Sequence, residues 1–210
     1  QHVLNTFISF LEKININNIS YDWNINISDG KKMSDKYKKY FVINPFTSSR
    51  RFNYREWDMN NYISISKYVK NKFNLNTIVV GGNSFYEEDT SKKFDNYEFI
   101  FNLVGKTDLQ DLYRLLHDSE FYLGPDSGTL HIASMLKKKI IGLYATSNPY
   151  RTGPFKNMSH TINLYPKAVK IYLKSNISSI TWGKRVRNRE AMKLITIDDV
   201  KNKVNEILSV

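Results

Sequence analysis

Hydrophobic positions along this chain recur with two alternating periods, and the alternation sets the expected architecture. Residues 2–13 carry Val3, Leu4, Phe7, Ile8, Phe10 and Leu11 at helical spacing. The stretch 15–39 is polar and broken, with Asp29-Gly30 as a turn signal, and reads as a lead-in. From Tyr40 the pattern becomes regular. Tyr40 to Asn44 is a β-branched and aromatic run closed by Pro45, a strand entering a loop. Asp58 caps a helix through Phe73 with Tyr62, Ile63, Ile65, Tyr68 and Val69 inward. Thr77 to Val80 is a buried strand ending at Gly81-Gly82. A polar helix follows, with Glu87, Glu88 and Asp89 near its start, where carboxylates suit the helix dipole. Phe99 to Asn102 is a third strand. Thr107 caps a helix from Asp108 to His117 whose inner face is Leu109, Leu112, Leu115 and Leu116. Phe121 to Leu123 is a fourth strand, Gly128 to Met135 a short helix and Ile140 to Tyr144 a fifth strand. A further strand at Thr161 to Leu164 interrupts an irregular stretch that runs to Asn188, and a last helix spans Ile197 to Leu208 with Asp198 and Asp199 at its start.

Short apolar strands alternating with amphipathic helices imply a parallel sheet covered on both faces. About six strands make a Rossmann-like, doubly wound α/β domain the expected fold. The chain divides into a linker helix and lead-in over residues 1–39 and the domain proper over 40–210.

Composition narrows the class. At 41% hydrophobic and 24% charged, the 210 residues are ordinary for a globular protein. The longest apolar run, near Ile140 to Ala145, is far too short to span a bilayer. With no cysteine and no basic-then-apolar leader, a cytoplasmic setting is expected. The net charge of +11 fits an anionic partner (a nucleotide, an acidic glycolipid or a membrane face) and equally a Lys-rich solvated surface. Nucleic acid is not expected, because no basic stripe with interleaved aromatics occurs. The four sequons at Asn18, Asn26, Asn157 and Asn176 follow from an Asn-rich composition. Gln1 rather than Met opens the chain, which suggests a piece of something longer or a processed product.

Ligands of such sheets bind beyond the carboxyl ends of the strands, so each strand-to-helix turn is a candidate. The strongest is Gly124-Pro125-Asp126-Ser127-Gly128-Thr129-Leu130-His131. Small residues at Ser127 and Gly128 let amides approach a ligand, the helix start presents its positive end, and Ser127 and Thr129 add hydroxyls beside the titratable His131. The same residues also describe a plain helix cap with a packed histidine, and the pattern by itself does not choose. The loop from Asn44 to Trp57 offers Thr47, Ser48 and Ser49 after a strand, then Arg50, Arg51 and Arg55, a set suited to phosphate oxygens. Arg50 and Arg51 read better as a basic surface loop, whereas Trp57 can anchor Arg55 by burial. Gly81-Gly82-Asn83-Ser84 with Glu87 or Glu88 could accept from ribose hydroxyls, and Gly105-Lys106-Thr107 is a tight turn that could edge a base, although a lone lysine is more often surface. His2, His117, His131 and His160 are dispersed and no Asp-x-Asp pair occurs, so no metal and no cofactor is expected. No nucleophile elbow or Walker loop is present.

Taken in order, these elements resemble the C-terminal domain of the family 9 glycosyltransferases, the lipopolysaccharide heptosyltransferases. The matching features are the hydroxyl cluster Thr47-Ser48-Ser49 after Pro45; Arg55-Glu56-Trp57 followed by Tyr62; Gly81-Gly82-x-Ser84 with Glu87; and Leu103-Val104-Gly105-Lys106-Thr107-x-Leu109. Asp126-Ser127-Gly128-x-x-His131-Ile132-Ala133, Gly142-Leu143-Tyr144-Ala145-x-x-Asn148-Pro149, Thr152-Gly153-Pro154 and the tail from Trp182-Gly183 to Ile195 complete the set. The resemblance implies the C-terminal half of a GT-B enzyme that binds a nucleotide-sugar donor, typically ADP-heptose, and transfers the sugar without a metal and with inversion. It implies Arg55 on the diphosphate and Thr47 and Ser48 on phosphate. Ser127, Gly128 and Thr129 would cradle the diphosphate, and Asp126 and His131 would hold sugar or phosphate oxygens. Glu87 would meet the ribose, and Lys106 and Thr107 would lie by the adenine. Thr129 stands where many relatives have Pro, and the loop before Arg55 is longer. The acceptor, the lipopolysaccharide inner core, and the catalytic base belong to an N-terminal domain that nothing before Tyr40 resembles; peripheral contact with an anionic inner membrane is a further expectation. The alternatives are a nucleotide-sugar-binding module without turnover of its own and a GT-B-type epimerase.

Overall fold

A computed structural model describes residues 1–23, 33–47 and 53–209. Asp29-Gly30, Ser48, Ser49, Arg50 and Arg51 lie outside these described residues. Six strands form one parallel sheet in the order β3-β2-β1-β4-β5-β6. They are β1 (Tyr40–Ile43), β2 (Asn76–Val79), β3 (Ile100–Asn102), β4 (Phe121–Pro125), β5 (Lys139–Tyr144) and β6 (Ile162–Asn163). The helices are α1 (Val3–Lys13), α2 (Met33–Tyr37), α3 (Met59–Phe73), α4 (Phe85–Ser91), α5 (Leu109–Asp118), α6 (Gly128–Met135), α7 (Pro149–Thr152), α8 (Tyr165–Tyr172) and α9 (Ile197–Leu208). The doubly wound, Rossmann-like expectation holds.

The strands are buried on both sides, so successive residues feed two cores. Phe41, Ile43, Val79, Phe121, Leu123, Ile141 and Leu143 pack against α3, α8 and α9. Tyr40, Val42, Ile78, Tyr122, Ile140 and Tyr144 pack on the other side against α2, α5 and α6. At the centre of the first core, the rings of Phe41 and Phe121 stack at 4.6 Å across adjacent strands.

Helix boundaries follow the capping chemistry. Asp58 accepts from Asn60 N at the start of α3. Thr196 and Asp199 exchange bonds at α9 as a capping box. One cap differs from the sequence reading. The cap of α5 is Asp108, whose carboxylate accepts from Asp111 N, and not Thr107. A carboxylate one residue later satisfies the same orphan amide and adds charge at the positive helix end. Leu109 likewise does not join the inner face; it is 69% exposed, whereas Leu115 and Leu116 are buried. It occupies the first turn, at the carboxyl edge of the sheet, where the packing surface runs out. Helices α2, α7 and α8 fall in stretches that carried no helical expectation. Helix α7 starts on Pro149 and α8 carries Pro166 as its second residue, and proline costs nothing at either position because the N–H there has no helical partner. Helix α1 forms as expected but buries none of its residues, and Phe7 and Phe10 are 62% and 68% exposed.

Gly124 is required by close approach. A Cβ there would overlap the Tyr122 hydroxyl and lie 2.8 Å from Asn44 O. Gly124→Ala is therefore expected to cost about 1–3 kcal/mol by overpacking, read as a lower urea midpoint. Adding Tyr122→Phe should recover part of that loss. An unchanged midpoint in the single variant would show that the strand end relaxes freely.

Candidate functional site

The strand order reverses between β1 and β4, so the loops at their carboxyl ends leave in opposite directions and part to form a crevice. The pairing Ile43 with Leu123 continues as Asn44 N donating to Leu123 O at 3.3 Å. Asn44 then joins the two loops that follow. Its amide Nδ2 donates to Thr129 Oγ1 at 2.7 Å, and its Oδ1 accepts from Phe46 N at 3.0 Å. Both partners are buried. Thr129 therefore points into the protein, its oxygen already engaged.

Ser127, in extended backbone, is the cap of α6, and its Oγ accepts from Leu130 N at 3.4 Å. The Tyr122 hydroxyl lies 3.3 Å from the same oxygen. Gly128 and Thr129 are the first two helical residues, whose amides have no acceptor within a helix. A Cβ built on Gly128 would find no described atom within 4 Å, so the side-chain direction at this turn is clear of the described residues. The helix dipole adds partial positive charge at the same point.

Asp126 closes the turn from below. It is 6% exposed and accepts from Ser147 Oγ at 3.0 Å and Thr152 Oγ1 at 3.2 Å, both to Oδ2. His131 Nε2 stands 3.6 Å from Oδ1, long for a hydrogen bond and in ion-pair range. Burial is the largest influence on this carboxyl and works to raise its pKa. The His131 ring, the Ser147 hydroxyl and the charge of Arg55 outweigh it and hold the group below the ordinary carboxylate range. Asp126 is thus a fixed anion whose Oδ2 is engaged by two hydroxyls. The His131 side chain is 44% exposed, which does not fit a packed histidine.

Arg55 reaches this turn from the opposite loop, and its Nη1 donates to Asp126 O at 2.8 Å. Trp57 supplies the anchor. It is 2% exposed, its indole meets the Tyr62 ring edge-on at 5.2 Å, and Nε1 donates to Ile195 O at 2.9 Å. Between them, Glu56 gathers the loop. Its Oε1 accepts from Thr47 N at 3.0 Å and Asn53 Nδ2 at 2.6 Å, and its Oε2 accepts from Tyr86 OH at 2.9 Å. Burial lifts the Glu56 carboxyl above its usual range, against the lowering effect of the bonds from Thr47 and Tyr86. The Thr47 hydroxyl is buried and has no partner among the described residues.

The remaining candidates lie further along the carboxyl edge. Glu87 accepts from Gly82 N at 3.2 Å and Ser84 Oγ at 2.6 Å. The bare backbone of Gly82 makes this possible, since a Cβ would come within 2.7 Å of Glu87 Oε2. Lys106 is exposed and donates to Asn102 O at 3.1 Å, and Gly105 turns the chain with a φ of +72°. Their loop leaves β3, three strands from β4, so by strand spacing Lys106 and Thr107 sit about 14 Å from the α6 turn.

The fold accordingly brings Arg55, Asp126, Ser127, Gly128, Thr129 and His131 together and ties Thr47 to Glu56 beside Arg55, with Glu87 and then Lys106 and Thr107 further along the carboxyl edge. Ser48 is outside the described residues. Asn44, Glu56, Ser147 and Thr152 belong to the same cluster and carried no site expectation. A signal existed for Asn44, a polar residue directly after a buried strand, and for Ser147, three residues past the end of β5. Thr152 had none, since its partner Asp126 is remote in sequence, and Glu56 had none because its bonds form only once the loop from Thr47 has folded back on it.

Residues 1–175 match the sequence profile of glycosyltransferase family 9 (heptosyltransferase). The chain is 26% identical to the lipopolysaccharide core heptosyltransferase OpsX of Haemophilus influenzae, over 98% of this chain and 60% of that protein. A family 9 glycosyltransferase from Veillonella parvula superposes with a TM-score of 0.74 at 18% identity, covering 100% of this chain and 60% of that one. The E. coli heptosyltransferase WaaC, solved with ADP, gives a TM-score of 0.66 at 15% identity, covering 99% and 57%. The chain thus spans about three fifths of the length of these relatives. On the profile match over most of its length, the chain belongs to glycosyltransferase family 9, the heptosyltransferase family.

Proposed function

We propose that this chain is the donor-binding part of a heptosyltransferase acting in lipopolysaccharide core assembly, and that the trough at the carboxyl edge takes a nucleoside-diphosphate sugar such as ADP-heptose. The observation that carries the reading is the start of α6 at Gly128, where an added Cβ would meet no described atom, with the Arg55 guanidinium held on the same turn. Two pre-set positive elements on one turn suit a diphosphate. The buried Thr47 hydroxyl without a described partner adds a donor at the end of β1. The WaaC structure with ADP supports adenosine diphosphate as the nucleotide.

In the proposed reaction, a hydroxyl oxygen of the acceptor bonds to the anomeric carbon as the bond from that carbon to the diphosphate oxygen breaks. The configuration inverts, the hydroxyl proton passes to a base, and the nucleoside diphosphate leaves with the electron pair. Its charge grows on the oxygen facing Arg55 and the α6 amides, which need no reorganisation to stabilise it. Removing one such donor costs a few kcal/mol of barrier, on the order of 100-fold in rate. These groups fill the role a divalent cation plays elsewhere, and among the described residues no three His, Asp or Glu side chains converge. The base and most of the acceptor site are assigned to the two fifths of the relatives' length that lie outside this alignment. No helix among the described residues is long and apolar enough to cross a membrane.

Gly128→Ala separates a ligand cradle from a plain helix cap. The added methyl meets no described atom, so thermal stability should hold or rise by about 0.5–1 kcal/mol from helix propensity. ADP affinity should nevertheless fall about tenfold or more, because the methyl takes the ligand's place. Unchanged ADP affinity by calorimetry would leave Ser127 as a cap and nothing else. Arg55→Ala should weaken ADP by about 10- to 100-fold and adenosine by less than about twofold; equal losses would remove Arg55 from the diphosphate. Excess EDTA should leave ADP affinity unchanged, and a chelator-sensitive affinity would sink the metal-independent reading.

A further inference from the structure

Tyr122 sits in the middle of β4, fully buried, with its ring in the core that packs against α2, α5 and α6. Its hydroxyl runs up beneath the end of its own strand. Only the bare backbone of Gly124 lets it pass, because a Cβ there would overlap the phenol oxygen. The hydroxyl ends 3.3 Å from Ser127 Oγ, its one hydrogen-bond partner among the described residues.

The inventory of hydrogens decides which of the two donates. Each hydroxyl has one hydrogen and two lone pairs. If Ser127 donated, the Tyr122 hydrogen would be left without an acceptor at a position closed to water, which costs the full desolvation of that group. Burial pushes the phenol well above its ordinary pKa, outweighing the lowering effect of the Ser127 contact, and the Asp126 charge adds to the rise, so the hydrogen stays in place. Tyr122 is therefore the donor. Ser127 Oγ also accepts from Leu130 N at 3.4 Å as the cap of α6. Two donors fill two lone pairs. The Ser127 hydrogen itself has no acceptor among the described residues, and the side chain stands half-buried beside exposed Gly128.

We infer that Tyr122 is a positioning residue which, without touching the ligand, makes the Ser127 hydroxyl a donor that cannot accept and turns its hydrogen out of the α6 turn toward an anionic oxygen. A serine in a binding turn ordinarily does either, and so takes a ligand N–H or O–H as readily as an oxygen. With both lone pairs engaged, it takes oxygen acceptors and leaves a ligand donor in the same place unpaired. A bond given by Ser127 to the ligand also polarises its oxygen and strengthens the bond received from Tyr122, so the two act together. The inference rests on the donor reading for the identity of the anion, and adds that part of the turn's selectivity is set inside the core.

A double-mutant cycle on the 210-residue chain tests it, with ADP and adenosine as calorimetric probes. Ser127→Ala should weaken ADP by about five- to tenfold, and Tyr122→Phe, which keeps the ring and removes the one oxygen, by about threefold or more. The double variant should lie within about twofold of Ser127→Ala, because the phenol acts only through the serine. Adenosine, which lacks the phosphates, should shift by less than about twofold in every variant. ADP affinity unchanged in Tyr122→Phe overturns the inference. So do losses that multiply in the double variant, or an equal loss for adenosine, since a purely structural tyrosine gives both. Neutron diffraction from deuterated wild-type crystals needs no variant and covers the case in which Tyr122→Phe does not fold. A deuteron on the phenol oxygen pointing at Ser127 Oγ is expected, and one on Ser127 pointing at the phenol refutes the assignment. Wild-type chain that fails to bind ADP refutes the donor reading instead, and the deuteron positions then decide the hydroxyl's direction by themselves.

Discussion

The pairing of β1 with β4 is the constraint on which the rest of the site depends. The two strands are distant in sequence, separated by two strand–helix units, yet they lie side by side at the centre of the sheet with Ile43 opposite Leu123. Connections run outward in opposite directions from that line, so the loops above it part and leave a crevice. Asn44 and Asp126 are the polar residues delivered there by the two strands. Each is buried, and each accepts or donates across the gap: Asn44 to Thr129, and the Asp126 carbonyl to Arg55. The crevice is therefore braced from both sides by groups whose hydrogen-bonding capacity is already committed, leaving the Gly128 edge as the part that faces outward.

Two carboxylates show how environment assigns different duties to similar groups. Asp126 and Glu56 are both substantially buried, and burial alone would favour the neutral form of each. Asp126 is surrounded by His131, two hydroxyls and Arg55, and it stays ionised. Glu56 has mostly neutral donors, and its carboxyl is lifted. The first fixes a negative charge under the anion-facing turn, which keeps Arg55 and His131 oriented. The second ties Thr47, Asn53 and Tyr86 together and so shapes the loop without adding a strong field.

Much of this was legible in the chain itself. The short apolar and β-branched runs found all six strands, the Asp58 cap and the Ile197–Leu208 helix matched residue for residue, and the Asp126 to His131 turn was identified as the leading candidate. What escaped has a common physical origin. Helix α8 is short and opens on Tyr165-Pro166, a pair that reads as a break unless the helix start is known. Leu109 has the right spacing for burial, but spacing carries no information about where the underlying sheet ends. Thr152 acquires its role through a partner 26 residues away, and Glu56 completes its set with one 30 residues away. Whether Thr129 faces ligand or core depends on Asn44, which the local pattern could not reveal.

The bond from Trp57 Nε1 to Ile195 O has a consequence for dynamics. It ties the arginine-bearing loop to the segment that leads into α9, the last helix of the described chain. Loops that carry ligand-binding groups are usually among the first parts of a domain to open. Here the Arg55 loop cannot open alone, because releasing the indole means withdrawing one of the largest buried side chains from the core packed by α3 and α9. Slow hydrogen exchange in the tail and slow exchange around Arg55 are then one event seen from two ends of the molecule, and the readiness of the crevice inherits the opening free energy of the final helix.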